Sequence, residues 1–351
     1  MSSVDELLKE MDKQYGDAVV GNGHDQPEYT RADTGMFPID LAIGGGFPVG
    51  KMSIIYGPES SLKTTVALKA IAQYQRTNPD KTCVFVDIEA SYDKDWAIKL
   101  GVQTEKLKLL RPTYAEMAVD LIEGILYADD CGVVVVDSLA AMVTANELNS
   151  SAEKAVVGGS GLVIGRFYRK AVMAISTAIR KERYPTLICI NQIRFKIGVM
   201  YGDPETMPGG NAFRYGAALI LRLYGKDEID KKINATLPSW KICSGIVKKY
   251  KIPIFSKSFE FRMSINKNTG FAIGDVDDWN TFKKYMQDFG IIRKGEKAGS
   301  WFLGEQEFKT ISSIRKHIDE DESLNLALRE LVFETALGDD EEDNEDAETE
   351  E

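Results

Sequence analysis

The chain has 351 residues, 44% of them hydrophobic, enough for one large core with smaller attachments. Its net charge of −11 argues against a uniformly basic nucleic-acid binder. Positions 339–351 alone hold ten acidic residues and no basic one, so the remainder carries 44 acidic against 43 basic residues and is nearly neutral. Local basic patches are therefore open to it, and the tail reads as a disordered acidic appendage.

Four scattered cysteines (Cys83, Cys131, Cys189, Cys243) without C-x-x-C spacing read as buried thiols of a reducing compartment. With His24 and His317 as the only histidines, a zinc set is not expected. No apolar leader or bilayer-length apolar run is present, which predicts a cytoplasmic protein with no membrane partner.

Residues 2–15 place Val4, Leu7, Leu8, Met11 and Tyr15 at helical spacing behind a candidate N-cap, Ser3. A helix this short needs a surface to pack on. The polar linker that follows (21–27) suits a neighbouring subunit; the simpler reading docks the helix on its own core.

From Ile39 onward, apolar strands alternate with helical patterns: strand 52–56, helix 64–76, strand 82–87, helices 94–100 and 115–128, strand 133–137, helix 161–183 and strand 186–191. This order predicts an α/β fold with a mainly parallel twisted sheet flanked by helices, and ligands at the carboxyl ends of the strands. After the first strand comes Gly57-Pro58-Glu59-Ser60-Ser61-Leu62-Lys63-Thr64-Thr65, a phosphate loop opening a helix. Its amides face the phosphates of ATP, Lys63 neutralises them, and the Thr64 hydroxyl is a Mg²⁺ ligand. Leu62 stands where the pattern has its second glycine. Either its φ is negative, where leucine fits, or the loop carries roughly 1–2 kcal/mol of strain.

Three further strand ends carry chemistry. Glu89, beyond the strand ending at Asp87, is placed to orient an attacking water. Asp137 closes the run Val133-Val134-Val135-Val136 as a Mg²⁺-holding carboxylate, the alternative being a helix N-cap. Gln192 ends the last strand with an amide suited to sensing a γ-phosphate. The stretch 194–211, with four glycines, two prolines and no period, is too long for a plain connection. Arg194 and Lys196 offer phosphate contacts, Ile197 an apolar wedge, and Gly198, Gly209 and Gly210, followed by Asn211, exposed backbone, a set that suits single-stranded nucleic acid. A second irregular stretch, 149–161, precedes a helix bearing Arg166, Arg169 and Lys170, which line the same channel or form a solvated helix face. In Lys248-Lys249-Tyr250-Lys251 the lysines either guard a sheet edge or reach a phosphate on an adjoining subunit. After Ile265 the pattern turns to helices at 278–289 and 324–337 around a short Ser300-Trp301-Phe302-Leu303 strand. The expected division is a subunit-joining N-terminal helix and linker (1–32), an ATPase core (33–264), a small α/β domain (265–338) and the tail (339–351).

The phosphate loop together with 133–142 and 191–211 resembles the RecA family of recombinases, and the likeness extends over most of the chain. The resemblance implies an ATP- and Mg²⁺-dependent protein that forms a helical homo-oligomeric filament on single-stranded DNA and pairs it with homologous duplex, assisted by single-strand-binding and mediator proteins. It implies that Lys63 and Thr64 take phosphate and metal, Glu89 the water and Asp137 the metal. It further implies that Trp96 stacks on adenine with Asp93 near the base edge, that Gln192 couples γ-phosphate to the DNA loop, and that Lys248 with Lys251 acts across the subunit interface. Their spacing departs by one residue, so Lys249 stays open. Arg214-Tyr215 is implied at that interface. Leu62 is similar to the bulky residue of UvsX-type phage members, which implies a phage-encoded recombinase acting in the host bacterial cytoplasm. Two rival expectations remain: a DNA-coating protein that barely hydrolyses ATP, and a hexameric helicase of the same core fold.

Overall fold

A computed structural model of the chain describes residues 3–15, 30–151, 159–195, 205–234, 236–297 and 299–338. The linker, the acidic tail and about half of each irregular stretch (152–158 and 196–204) lie outside the described residues.

Helix α1 (Val4–Tyr15) starts at a reciprocal cap: Glu6 N donates to Ser3 Oγ at 3.2 Å and Ser3 N to Glu6 Oε2 at 3.0 Å. Its Val4, Leu7 and Met11 are exposed, so none of the described residues covers this apolar stripe. A two-stranded ribbon, β1 (Arg31–Ala32) with β2 (Phe47–Pro48), brackets helix α2 (Phe37–Ala42).

Among the described residues the central sheet has nine strands. Six are mutually parallel: β3 (Met52–Gly57), β4 (Thr82–Asp87), β5 (Lys108–Leu110), β6 (Cys131–Asp137), β7 (Thr186–Gln192) and β10 (Leu219–Glu228), in spatial order β10-β3-β7-β6-β4-β5. Between β7 and β10 run the short antiparallel pair β8 (Arg194–Phe195) and β9 (Glu205–Thr206). An antiparallel extension continues past β10 through β11 (Trp240–Tyr250), β12 (Ser258–Ser264) and β13 (Val276–Asp277).

Helices α3 (Lys63–Thr77) and α4 (Lys94–Lys99) cover one face, and α5 (Ala115–Leu126), α7 (Gly159–Ile179) and α8 (Gly210–Gly216) the other. Between α5 and α7 stand a 3₁₀ turn at Leu139–Ala141 and the short α6 (Ala145–Asn149). The alternating side chains of β6 show why the strands read as unbroken apolar runs. Val133 and Val135 join the first core, Val134 and Val136 the second, so both faces are buried.

Beyond the sheet, α9 (Trp279–Asp288), the ribbon β14 (Ile292–Lys294), β15 (Trp301–Leu303) and β16 (Gln306–Phe308), α10 (Ile311–Glu320) and α11 (Glu322–Leu337) form a third core with Phe37 and Leu41 of α2. Helix α10, not anticipated from the sequence, opens on a capping box between Thr310 and Ser313.

Candidate functional site

The carboxyl ends of β3, β4, β6 and β7 open into one cleft of about 800 Å³ lined by Gly57, Lys63, Glu89, Trp96, Asp137 and Gln192 among others. Two glycines make room for its loop. A Cβ at Gly57 would meet the Leu223 carbonyl at 2.4 Å, and one at Gly225 the Ser60 carbonyl at 2.3 Å. Gly225 escaped the sequence reading, although a glycine inside a strand is the usual sign of a close backbone approach.

Within the loop, Ser60 (φ 59°) and Leu62 (φ 67°) hold left-handed backbone. Of the two expectations for Leu62, the strained one is realised. Its half-buried side chain packs on the first core and borders a second cavity, shared with Asp227, Lys241 and Ile265; it is absent from the lining of the main cleft. The leucine therefore does not block the space beside Glu89.

Lys63 Nζ donates to the Pro58 carbonyl at 2.6 Å, a contact that a phosphate oxygen can replace. Burial lowers the Lys63 pKa, opposed by Asp137, Glu89 and Glu59. Thr64 Oγ1 donates to Asp137 Oδ2 at 2.5 Å. Burial lifts Asp137 to about pKa 6, with the Thr64 bond and Lys63 acting downward and Glu89 and Asp87 upward. Asp137 is thus not a helix cap; its partner is the hydroxyl of the phosphate loop. A hydroxyl and a carboxylate meeting beside a phosphate loop fit Mg²⁺, which takes few protein oxygens and completes its shell with phosphate and water. Among the described residues no group of three His, Cys, Asp or Glu is assembled for a metal.

Glu89 is held from two sides: Ser138 Oγ donates to its Oε1, and Gln192 Nε2 donates to the same oxygen at 2.8 Å. Arg194 Nη1 in turn donates to Gln192 Oε1 at 3.2 Å. A continuous chain thus runs from the cleft carboxylate into β8. The peptide bond between Asp137 and Ser138 is cis. Trp96 Nε1 donates to Thr65 Oγ1 at 3.3 Å, while Asp93 caps α4 by accepting from Trp96 N at 3.0 Å.

The predicted DNA residues divide. Arg166 and Arg169 are exposed along α7 and Arg194 is exposed in β8. Lys170 instead donates to Asp120 and Glu123 of α5 at 2.8 and 2.6 Å, which makes it a helix-to-helix clamp. Lys196, Ile197 and Gly198 lie outside the described residues. Gly209 and Gly210 have positive φ at the start of α8, where a Cβ on Gly209 would meet Ile164 Cγ2 at 2.7 Å; Asn211 follows within α8.

None of Lys248, Lys249 and Lys251 lines the cleft. Lys249 Nζ donates to the Arg214 and Tyr215 carbonyls at 2.9 and 2.5 Å. Lys248 is the extra residue of a β-bulge, since Ile220 pairs with Lys249 but Leu221 with Val247. Lys248 and Lys251 are exposed. Lys251 borders another cavity with Gly50 and Met52, beside the beginning of β3, the end remote from the phosphate loop.

The family model for the RecA N-terminal domain matches residues 2–268. The chain is 39% identical over 304 residues to Protein RecA of Mesoplasma florum, covering 86% of this chain and 85% of that protein. It is 34% identical over 336 residues to Protein RecA of Chlorobium limicola (93% and 90% covered) and 32% over 340 residues to that of Bacillus subtilis (95% and 91%). A family model matching most of the sequence, joined to relatives aligned over nearly their whole length, leads to one assignment: this chain belongs to the RecA family.

Proposed function

We propose that the chain is a DNA-dependent ATPase that assembles as a helical filament on single-stranded DNA and exchanges strands with homologous duplex DNA in recombination and repair. The observation that carries this reading is the Glu89–Gln192–Arg194 chain of hydrogen bonds, which ties the carboxylate facing the nucleotide to the strand from which the long loop departs. In this reading Lys63 and the loop amides hold the phosphates, and Thr64 and Asp137 hold Mg²⁺, which when bound neutralises charge on the phosphate oxygens. Glu89, fixed by Ser138, orients the water. A γ-phosphate competes for the Gln192 amide, and release from Glu89 repositions β8, so ATP occupancy biases the DNA-gripping state. Arg166, Arg169 and Arg194, with Lys196 to Gly198 and Gly209 to Asn211, supply the DNA contacts.

Lys248 and Lys251 act on the cleft of a neighbouring copy, which calls for head-to-tail stacking. The exposed stripe of α1 is the other half of that contact. The chain divides into residues 1–32 for subunit contact, a 33–264 core, a 265–338 attachment and the 339–351 tail. Leu62 supports a UvsX-type, phage-encoded member working in the cytoplasm of its bacterial host, with single-strand-binding and mediator proteins as loading partners. No helix among the described residues is long and apolar enough to cross a membrane.

Phosphate release with and without a single-stranded oligonucleotide tests the reading. Wild type should be stimulated by DNA, Lys63→Ala should lose turnover, and Glu89→Gln should lose about 10²–10⁴-fold in rate while keeping ATP-dependent DNA binding. Unchanged turnover in Glu89→Gln would remove Glu89 from its role, and closed rings instead of filaments in electron micrographs would overturn the assembly.

A further inference from the structure

The β8–β9 pair is fastened to the nucleotide cleft from both of its strands. From β8 the connection runs from Arg194 to Gln192 at the end of β7 and on to Glu89. From β9 it is Glu205, whose carboxylate accepts from Arg222 Nε at 2.7 and 2.9 Å and from Arg222 Nη2 at 2.6 Å. The Tyr56 hydroxyl neighbours the same carboxylate, which is one of the causes that raise its pKa. Tyr56 is the residue immediately before Gly57, and Arg222 is its direct register partner on the adjoining parallel strand. The guanidinium lies 3.4 Å from the centre of the Tyr224 ring, and both charged side chains are about nine-tenths covered, at 10% and 11% exposure.

Such a pair is a poor source of net stability. Desolvating two charges costs several kcal/mol, and among the described residues the buried Arg222 Nη1 has no hydrogen-bond partner. What a buried ion pair with three directed bonds does well is specify one arrangement. Burial and the adjacent Glu205 push the Tyr56 hydroxyl pKa upward, so it keeps its proton and remains a donor. Arg222 also lines the cleft, so the charge of a bound nucleotide acts on the same guanidinium that holds Glu205.

We propose that Tyr56, Glu205 and Arg222 form a second positioning relay, which transmits the geometry of the phosphate loop to β9 independently of Gln192. It rests on the ATP-gated DNA binding proposed above. A phosphate that reorganises the loop after Gly57 displaces the Tyr56 hydroxyl, and Glu205 carries that displacement into the strand. The two relays together orient both strands of the pair, where one alone would leave β9 to pivot.

The test uses the full chain and a labelled single-stranded oligonucleotide, titrated with and without a non-hydrolysable ATP analogue. In wild type the analogue tightens DNA binding. In Tyr56→Phe and in Glu205→Gln that tightening should shrink about fivefold or more, while affinity without nucleotide stays as in wild type. The double variant should be no worse than Glu205→Gln alone, because both act on one relay. Undiminished tightening in both single variants overturns the proposal. Weakening of equal size with and without the analogue also overturns it, since that marks a merely structural pair. Should Glu205→Gln fail to fold, Tyr56→Phe, which removes one hydroxyl, decides alone. Absence of tightening in wild type would instead overturn the ATP-gated reading, and the relay with it.

Discussion

Leucine at φ 67° and ψ 20° is an unusual choice for a loop that must close around phosphate. The left-handed backbone costs roughly 1–2 kcal/mol for a residue with a Cβ, and the half-buried side chain returns part of this through its packing on the first core. Glycine would remove the strain but give up the packing and order a more flexible chain, at about 0.5–1 kcal/mol. Leu62→Gly is therefore expected to melt close to wild type. Leu62→Val, with a branched Cβ forced into the same backbone, should be less stable by about 1 kcal/mol or more. Thermal unfolding of the three proteins decides, and a Val variant as stable as wild type would refute the strain. Only the departure from the motif was legible here; the sign of φ at Leu62 was not, since nothing in the local pattern distinguishes the two conformations. Arg222, in contrast, left a trace that went unread. A charge inside the apolar run Leu219-Ile220-Leu221-Arg222-Leu223 has to find a buried partner.

Helix α2 is a wedge between two cores, giving Ile39 and Ala42 to one and Phe37 and Leu41 to the other. It also buries Asp40, whose Oδ1 accepts from Thr34 N at 2.8 Å. Burial lifts this carboxyl to about pKa 8, with Asp33 adding to the rise and the Thr34 bonds opposing it. Because folding raises the pKa of this acid above its unfolded value near 4, the stability it confers is fully present below about pH 4. That stability is lost as pH climbs toward 8. Asp40→Asn, neutral throughout, should therefore gain in melting temperature over wild type as pH rises from 5 to 8. A constant difference between the two proteins across that range would show that Asp40 ionises normally. Elements of this kind were only partly readable. Alternation of apolar runs with helical spacing placed β3, β4, β6 and β7 and their helices within a few residues, because both faces of those strands are buried; the three-residue edge strand β5 was missed, being too short and too exposed to show a run. The antiparallel extension through β11 and β12 was not assigned, because strands with one wetter face mix polar and apolar residues. Helix α10 carried a Thr-x-x-Ser cap but only a short stripe of apolar positions around Ile314 and Ile318.

At the scale of the molecule, the cleft and the lysines read as its partners are separate places. The cleft gathers at the carboxyl ends of the parallel strands, whereas Lys251 borders a different cavity beside the other end of β3. Under the proposed head-to-tail stacking, each face would be half of a site completed by the next copy. Protein carrying Glu89→Gln and protein carrying Lys248→Ala with Lys251→Ala should each be nearly inactive alone. Mixed in equal amounts, they should recover about a quarter of wild-type phosphate release, the share of junctions pairing an intact cleft with intact lysines. No recovery would place both groups in one chain's own site. That the active residues collect at strand ends was foreseeable from the strand-helix order. That Lys249 belongs to the architecture, donating to the Arg214 and Tyr215 carbonyls, was not, because a β-bulge changes which lysine faces outward without altering the letters.

The bulged lysine strand has an arithmetic consequence. In the proposed head-to-tail stacking, a row of n molecules would own n − 1 finished catalytic junctions, so a pair would share one and a long row would approach one per member. Turnover per molecule would then climb with contour length, and one extremity of every row would be permanently idle. Fuel consumption would become a gauge of how much DNA has been covered, with no separate counting device.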